Sequence, residues 1–297
     1  MMMGTHLRQR GFTLVELVLV IVIGAVVAAT VSTFIKPAID AYVGTRLRAD
    51  MSDQADTALR RMLRDVRRAV PNSLRVPSDQ CFELVPVVSG GRYRMGPDAA
   101  NDGGGCTAQS GGACSAWVDP SQATTVFDVM SSMTTVPSAG DWVVINNQSG
   151  NDVYTGANRS AIVSVTTPAA TQGYRRITIS SMQVSAGYNS GRFQTISNSE
   201  QSVFYICSGA DGTLDANGDG KGTLYRLVRS FNATYPTSCP STAGAVALAT
   251  RVKSCSFIYD ANQGATQQNG FLWMDLELAR KSETAHMAVG AHVMNVP

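Results

Sequence analysis

The strongest constraint on this chain is an apolar run near its N-terminus. From Phe12 to Ile35 the sequence contains one charged residue, Glu16. A helix rises about 1.5 Å per residue, so this run reaches roughly 36 Å and can cross a hydrocarbon core of about 30 Å. We therefore predict a transmembrane helix over residues 12–35.

The residues before the run predict its orientation. His6, Arg8 and Arg10 precede it, without an acidic residue among them. Positive charge beside a span favours the cytoplasmic side, so we expect a cytoplasmic N-terminus and an exported C-terminal body. A secretory signal peptide would have an apolar region of about 7–15 residues with a small-residue cleavage site after it. Here the run is longer, and the small residue, Gly11, comes before it.

An amphipathic continuation of the helix is predicted over residues 36–70. After Pro37, apolar residues recur at steps of three or four, which draws one apolar stripe along a helix. The stripe contains Leu47, Met51, Ala55, Leu59, Met62, Val66 and Val70. Pro37 predicts a kink or local loosening near the membrane surface, and Pro71 predicts the end of the helix. We expect the stripe to lie on a globular head.

The arginines between Arg60 and Arg68 allow two interpretations. One is a patch for nucleic acid or lipid head groups. The other is a solvated helix face, in which Asp56 precedes Arg60 and Asp65 precedes Arg68 at the spacings of helical ion pairs. The chain has 24 Lys and Arg against 22 Asp and Glu, a net charge of +2, so no global basic excess points to nucleic acid. The solvated face is favoured, and no nucleic-acid partner is expected.

Residues 71–297 are predicted to form a β-rich head. The region contains short alternating or apolar runs separated by turn clusters rich in Gly, Asn and Ser. The predicted strands are Phe82–Val88, Asp141–Asn146, Ala161–Thr166, Arg175–Ser180, Ser202–Cys207, Thr223–Val228, Ser254–Tyr259, Phe271–Leu278 and Ala285–Val296. Turns are predicted at residues 89–91, 186–191 and 269–270, and an exposed loop at residues 103–112.

The last two predicted strands should form a hairpin around residues 279–284. In the first of them, aliphatic side chains alternate with aromatic and acidic ones, as expected for a strand with two unlike faces. The aliphatic set is Leu272, Met274, Leu276 and Leu278. We predict that this set faces the helix.

Six cysteines follow the apolar run: Cys81, Cys106, Cys114, Cys207, Cys239 and Cys255. Disulfides persist in oxidising compartments such as the periplasm, which agrees with an exported head. Six cysteines allow many pairings, and sequence does not choose among them. Only Cys106 and Cys114 are favoured as a pair, because together they can close one Gly-rich loop. A zinc site is disfavoured, since there is no C-x-x-C motif and the histidines are distant in sequence.

One loop has the start of a calcium-binding sequence. Asp215-Ala216-Asn217-Gly218-Asp219-Gly220 matches D-x-N-x-D-G, whose oxygens at alternate positions can converge on one cation. The twelfth position would be Arg226 and not a glutamate, and the flanks are predicted strands. Either Asp215, Asn217 and Asp219 form a partial calcium loop, or the segment is a tight turn. No other cofactor is predicted.

Nothing in the sequence argues for catalysis. It has no G-x-S-x-G, H-E-x-x-H or P-loop motif. His286 and His292 would share a face of the last predicted strand, with no acidic or cysteine motif nearby. We therefore expect a protein that is not an enzyme.

The start of the apolar run resembles a known processing signal. Gly11-Phe12-Thr13-Leu14-Val15-Glu16, continued by Leu17-Val18-Leu19-Val20-Ile21-Val22-Ile23-Gly24, is similar to the class III signal of type IV pilins and pseudopilins. The resemblance implies that the prepilin peptidase removes a leader of residues 1–11 by cleaving between Gly11 and Phe12, and that Phe12 is N-methylated. It also implies that Glu16 pairs with the N-terminal amine of a neighbouring subunit. Such pairing lowers the cost of both charges in a low dielectric.

Two further segments resemble minor pilins of the mannose-sensitive haemagglutinin (MSHA) pilus. They are residues 59–76 and the C-terminal residues 292–297. The resemblance implies an α+β, pilin-like fold: a long N-terminal helix, membrane-spanning in its first half, packed on a large antiparallel β-rich head.

The same resemblance implies a place and a set of partners. The chain would be a single-pass protein of the bacterial inner membrane with a periplasmic head, later part of a pilus or pseudopilus. Its partners would be the prepilin peptidase, other pilins through the N-terminal helix, and inner-membrane lipid. Two alternatives stay open: a pseudopilin of type II secretion, and a tip adhesin or other ligand-binding module.

Overall fold

The computed structural model describes residues 11–185, 190–263 and 269–294. Its helices are α1 (Leu14–Arg67) and α2 (Asp152–Thr155). The strands, in chain order, are β1 (Arg75–Ser78), β2 (Cys81–Leu84), β3 (Ser89–Arg92), β4 (Ala123–Val129), β5 (Trp142–Val144), β6 (Arg159–Thr166), β7 (Arg175–Gln183), β8 (Arg192–Ile196), β9 (Ser202–Ser208), β10 (Gly222–Arg229), β11 (Val246–Gln263), β12 (Asn269–Arg280) and β13 (Glu283–Met294). The chain divides into two compact units, residues 1–50 and residues 51–297.

Helix α1 confirms the predicted long helix. It runs for 54 residues and includes Pro37 without ending there. It ends at Arg67, slightly before the predicted stop at Pro71, because the backbone N–H of Val70 already donates to the carbonyl of Val85 in the head. The last residues of the predicted helix therefore belong to the connection into the sheet.

The part of α1 inside the second unit packs through the predicted stripe. Met51, Ala55, Leu59, Met62 and Val66 are all buried, and they share one core with residues of a seven-stranded sheet. The spacing of three and four residues places them on one side of the helix. The amphipathic pattern read from the sequence is confirmed here.

The seven-stranded sheet has the order β1-β2-β9-β10-β11-β12-β13, and its described pairs are antiparallel. The hairpin β12–β13 turns through Lys281 and Ser282, whose φ angles of 51° and 64° are those of a type I′ turn. The predicted hairpin is confirmed. Its four aliphatic side chains are completely buried in the core that contains the α1 stripe, as predicted: Leu272, Met274, Leu276 and Leu278.

A second sheet of six strands has the order β3-β8-β5-β6-β7-β4 and its own core, which includes Phe127, Ile177 and Phe193. The turns predicted at residues 89–91 and 269–270 are wrong, because these residues lie in β3 and at the beginning of β12. A Cβ atom on Gly90 would lie 2.7 Å from the carbonyl oxygen of Phe193, so the glycine allows close approach of β8. Glycine has this role in strands as well as in turns.

Several strand boundaries differ from the prediction. Strands β1, β4 and β8 were not predicted, and β2 ends at Leu84 although a strand to Val88 was expected. Strand β11 begins at Val246, well before the predicted start at Ser254. Its pairing with β10 shifts at Arg251, which has φ 59° and forms a bulge. A bulge breaks the alternation by which a strand is recognised in sequence. Parts of two expected features, the turn at 186–191 and the end of the last strand, lie outside the described residues.

Candidate functional site

The first candidate site is the beginning of α1. Residues 11–13 precede the helix, and Thr13 caps it. The backbone N–H of Glu16 donates to Thr13 Oγ1 at 3.2 Å, and that of Leu17 donates to the Thr13 carbonyl at 3.1 Å. Thr-x-x-Glu is a capping-box sequence, a signal for this boundary that our sequence analysis did not use.

Glu16 lies in the first turn of α1. The free N–H groups of a helix N-terminus give this end a partial positive charge, which favours a carboxylate there. Glu16 and all its neighbours from Gly11 to Val43 are exposed. The carboxylate is therefore free to meet a group from outside the chain.

The apolar half of α1 makes no core of its own. Leu14 is 78% exposed and Ile21 62% exposed, and none of the most apolar window of the helix is buried. By length and composition this helix is able to cross a membrane. An apolar surface of this size calls for lipid or for the apolar faces of other helices.

Two glycines, one just before α1 and one in its apolar half, have open surroundings. Among the described residues, no atom lies within 4 Å of the Cβ position at Gly11 or at Gly24. A larger side chain at either position therefore meets no steric obstacle in the described part of the chain. Substitutions at these two positions therefore test recognition by another protein.

The cysteines form three disulfides. Cys106 pairs with Cys114, the pairing that the sequence favoured, and closes the Gly-rich loop. Cys81 of β2 pairs with Cys239, and Cys207 of β9 pairs with Cys255 of β11. All six therefore lie in covalent cross-links of the head.

The Asp215 loop is a tight turn held against the hairpin β12–β13. Asp215 Oδ1 accepts from the backbone N–H groups of Asn217 and Asp219, each at 2.8 Å. Asp219 accepts from the backbone N–H of Lys281 at 2.9 Å and from Arg251 Nε at 2.8 Å. The hydrogen bond from the Lys281 N–H is the main cause of the lowered pKa of Asp219, and the bond from Arg251 lowers this pKa further. The carboxylates thus have partners within the chain, and calcium binding stays a prediction.

Of the two acid–arginine pairs predicted in the second half of the long helix, one forms and the other does not. Asp56 pairs with Arg60 at 2.5 Å, as the spacing suggests. Asp65 does not pair with Arg68. Its carboxylate faces the sheet, where it accepts from the Tyr205 hydroxyl at 2.6 Å and from Arg226 at 3.1 Å.

Arg226 connects this contact to a second acid, since it also pairs with Glu200 Oε1 at 2.5 Å. Burial, with the Asp65 carboxylate nearby, raises the pKa of Tyr205 well above its usual range. The result is a polar clamp, consisting of Asp65, Tyr205, Arg226 and Glu200, that fixes the end of α1 to the sheet.

The two histidines of β13 have separate surroundings. His286 Nε2 lies 2.8 Å from Asp275 Oδ1 on β12, an acid that the sequence analysis did not connect with it. In the register of the hairpin Asp275 is opposite Ala288, so the two side chains are diagonal neighbours. His292 packs edge-on against the Phe271 ring. Among the residues described, no group of three or more His, Cys, Asp or Glu could hold a metal.

The family comparison concerns the first candidate site. Residues 6–32 match the prokaryotic N-terminal methylation motif, a motif of structural and not catalytic proteins. It implies processing by the prepilin peptidase and association with other pilins. Neither the curated proteins nor the solved structures gave a significant match. The motif, the apolar N-terminal helix and the disulfide-bonded head together support a type IV pilin-like, membrane-anchored subunit.

Proposed function

We propose that this chain is a minor pilin that takes part in assembling, priming or capping a type IV pilus similar to the MSHA pilus. One observation carries the proposal. The exposed apolar half of α1 begins at the methylation motif and presents Glu16 in its first turn. The chain thus has an apolar surface to be covered by neighbours and a charge to be paired by them.

Processing is the first step of the proposed function. The Gly11–Phe12 bond precedes α1, so a peptidase can reach it without unwinding the helix. Cleavage removes residues 1–11 with their basic side chains, and Phe12 becomes the methylated N-terminus. The amine then stands at the start of the helix that carries Glu16.

Assembly is the second step. A carboxylate in a hydrocarbon layer is costly, and an ammonium group from another subunit offsets part of that cost. Glu16 of one subunit would pair with the Phe12 amine of its neighbour as the helix leaves the lipid. The apolar side chains of α1 would then pack among neighbouring helices.

The proposed orientation and the proposed minor role are supported by the basic residues before α1 and by the head. The basic flank at Arg8 and Arg10 favours the cytoplasm, and the three disulfides favour an oxidising compartment for the head. The head is a bulky unit with two sheets. Such a head suits a tip or priming position better than a repeating shaft. Residues 59–76 resemble, within the MSHA system, the biogenesis component called O.

Intact-mass spectrometry tests the processing step. The chain is expressed with and without a prepilin peptidase; we expect loss of residues 1–11 and addition of one methyl group only when the enzyme is present. Gly11→Leu should block cleavage, whereas Gly24→Leu, at an equally open position, should be cleaved normally. A full-length mass in the presence of the peptidase would contradict the proposal.

Filament incorporation tests the assembly step. Glu16→Gln should insert into the membrane and be processed, but should be absent from purified pili. Asp40→Asn removes an exposed helix carboxylate outside the predicted span and serves as the control. Normal incorporation of Glu16→Gln would refute the role of the acid. Recovery of the wild-type chain with a secretion pseudopilus, and not with pili, would favour the pseudopilin alternative.

A further inference from the structure

The arginines of the head fall into two groups. Most of those at buried or structural positions have an acidic partner: Arg75 with Glu83, Arg94 with Asp98, Arg176 with Asp128, Arg226 with Asp65 and Arg251 with Asp219. A second group lies exposed around the end of α1: Arg61, Arg64, Arg67, Arg68 and, on β8, Arg192. Within the described ranges, the guanidinium groups of this second group have no hydrogen-bond or ion-pair partner.

Three of the unpaired arginines line one cleft. Arg67 at the end of α1, Arg68 directly after it and Arg192 on β8 border a cleft of about 530 Å³ in the second unit. A neighbouring cleft of about 360 Å³ shares Arg67 and Arg68 and continues past Arg64 and Arg60. The two clefts share Arg67 and Arg68 and so form one arginine-lined surface, which we call the basic cleft.

The strand pairing at the cleft increases the positive charge. Arg192 on β8 is directly opposite Arg92 on β3 in the register of the two strands. Like charges at directly opposite positions of an antiparallel pair destabilise the sheet. No acidic residue is among the described residues that line the cleft. The register thus places two like charges beside each other, and an anionic ligand at Arg192 would offset their repulsion.

The cleft also contains an unsatisfied acceptor. Gln194 lines it, and its side-chain oxygen is buried without a hydrogen-bond partner among the described residues. A buried polar atom without a partner is uncommon in folded proteins. Rotation of this amide toward the cleft would offer the oxygen to a donor on a ligand. The hydroxyl-bearing residues Ser89, Thr134 and Thr135 line the same cleft.

These groups specify the chemistry of a ligand. Guanidinium groups bind carboxylates through paired hydrogen bonds, whereas Gln194 and the hydroxyl residues match a ligand rich in hydroxyl groups. None of the described lining residues is aromatic, so the cleft lacks a surface on which nucleic-acid bases could stack. We propose that the basic cleft binds an acidic glycan, a short run of sugars bearing carboxylate groups. This binding site is additional to the assembly role and does not depend on it.

Calorimetric titration of the full chain in a non-ionic detergent tests the proposal. The probe is tetragalacturonic acid, and the neutral comparison is tetragalactose. We expect binding of the acidic oligomer only, weakened by added salt. Arg192→Gln should weaken it by about tenfold or more, the effect of losing one charge-assisted contact. Arg46→Gln removes the same charge from an exposed arginine outside the cleft and should leave the affinity within about twofold.

A second variant and two other polyanions make the test specific. Gln194→Leu should weaken binding of the acidic glycan without changing the melting temperature. Polyglutamate and oligothymidylate should bind the wild-type chain less tightly than the acidic glycan does. Equal binding of either polyanion, equal binding of tetragalactose, or an unchanged affinity of Arg192→Gln would overturn the proposal. The processing assay on the same preparation reports separately on the assembly role.

Discussion

The two halves of α1 share one backbone conformation and have opposite surroundings. Between Phe12 and Ile35 the apolar side chains occupy the whole circumference and are exposed. Between Met51 and Val66 they form one stripe, which is buried in the head. The two halves differ in how apolar side chains are distributed around the helix. A helix that is apolar on all sides needs external partners, whereas a helix with one apolar stripe completes a core.

Deleting residues 1–50 should have the largest effect on this comparison. The head keeps the α1 stripe from Met51 onward, its two sheets and its disulfides, because all of these lie in residues 51–297. We expect the shortened chain to be monomeric without detergent, whereas the full chain should require it. Size-exclusion chromatography with light scattering measures the difference. A shortened chain that still aggregates would show that the head also exposes an apolar surface.

The disulfides should differ in their contribution to the head. Replacing both Cys81 and Cys239 by alanine removes a cross-link between residues 158 apart in sequence, and a chain-entropy argument predicts a loss of about 5 kcal/mol. The same change at Cys106 and Cys114, separated by 8 residues, should cost about 2.5 kcal/mol. Urea unfolding of the shortened chain gives both values. The reverse order would mean that the Gly-rich loop contributes to the core.

One substitution in each half of α1 tests the contrast directly. Met62→Ala should lower the free energy of unfolding of the head by about 2–5 kcal/mol, because Met62 is completely buried. Val18→Ala, in the exposed half, should leave the unfolding of the head unchanged. Tryptophan fluorescence during urea unfolding of the detergent-solubilised chain follows both variants. An equal loss in the two variants would abolish the distinction drawn here.

The polar clamp should contribute less than the stripe. Asp65→Asn removes the charge that Tyr205 and Arg226 contact, and we expect a loss of about 1–3 kcal/mol. Asp56→Asn, which removes a solvent-exposed pair with Arg60, is the matched control and should leave the free energy of unfolding nearly unchanged. Both variants are made in the chain without residues 1–50, and the midpoints of their urea unfolding curves measure the two losses of stability. A cost for Asp56→Asn as large as that for Asp65→Asn would argue against the clamp.

The smallest expected effect depends on pH. The backbone N–H of Ser115 donates to Asp102 and is the main cause of the lowered pKa of that carboxyl group. A lowered folded pKa gives stability that is complete above the unfolded value and is lost as the pH falls through the folded value. Below about pH 4 we expect faster amide exchange in the Cys106–Cys114 loop, before the core is affected. Asp102→Asn should remove this pH dependence.

The sequence predicted those elements whose patterns are local. The α1 stripe repeats at three and four residues, and Leu272 to Leu278 alternate, so both were assigned correctly to the core. The methylation motif before and within α1 was equally visible, because its signal lies in consecutive residues. Periodicity of this kind survives in any fold that uses the element.

Other features depend on partners distant in sequence. Asp65 contacts Arg226, 161 residues away, and not the nearby Arg68. Strand β3 contains two glycines, which in the sequence indicate a turn. In the structure, Gly90 instead allows β8 to approach closely. The basic cleft was missed for the same reason, since Arg192 joins Arg67 and Arg68 only through the fold.

The cap at Thr13 has a consequence for the timing of maturation. The Thr13 hydroxyl accepts from the backbone N–H of Glu16, so the first turn is closed by residues that would stay in the chain after the proposed cleavage. The helix would therefore not have to refold after proteolysis. The new N-terminal amine of Phe12 would stand next to a first turn that is already formed, with the Glu16 carboxylate already positioned in that turn.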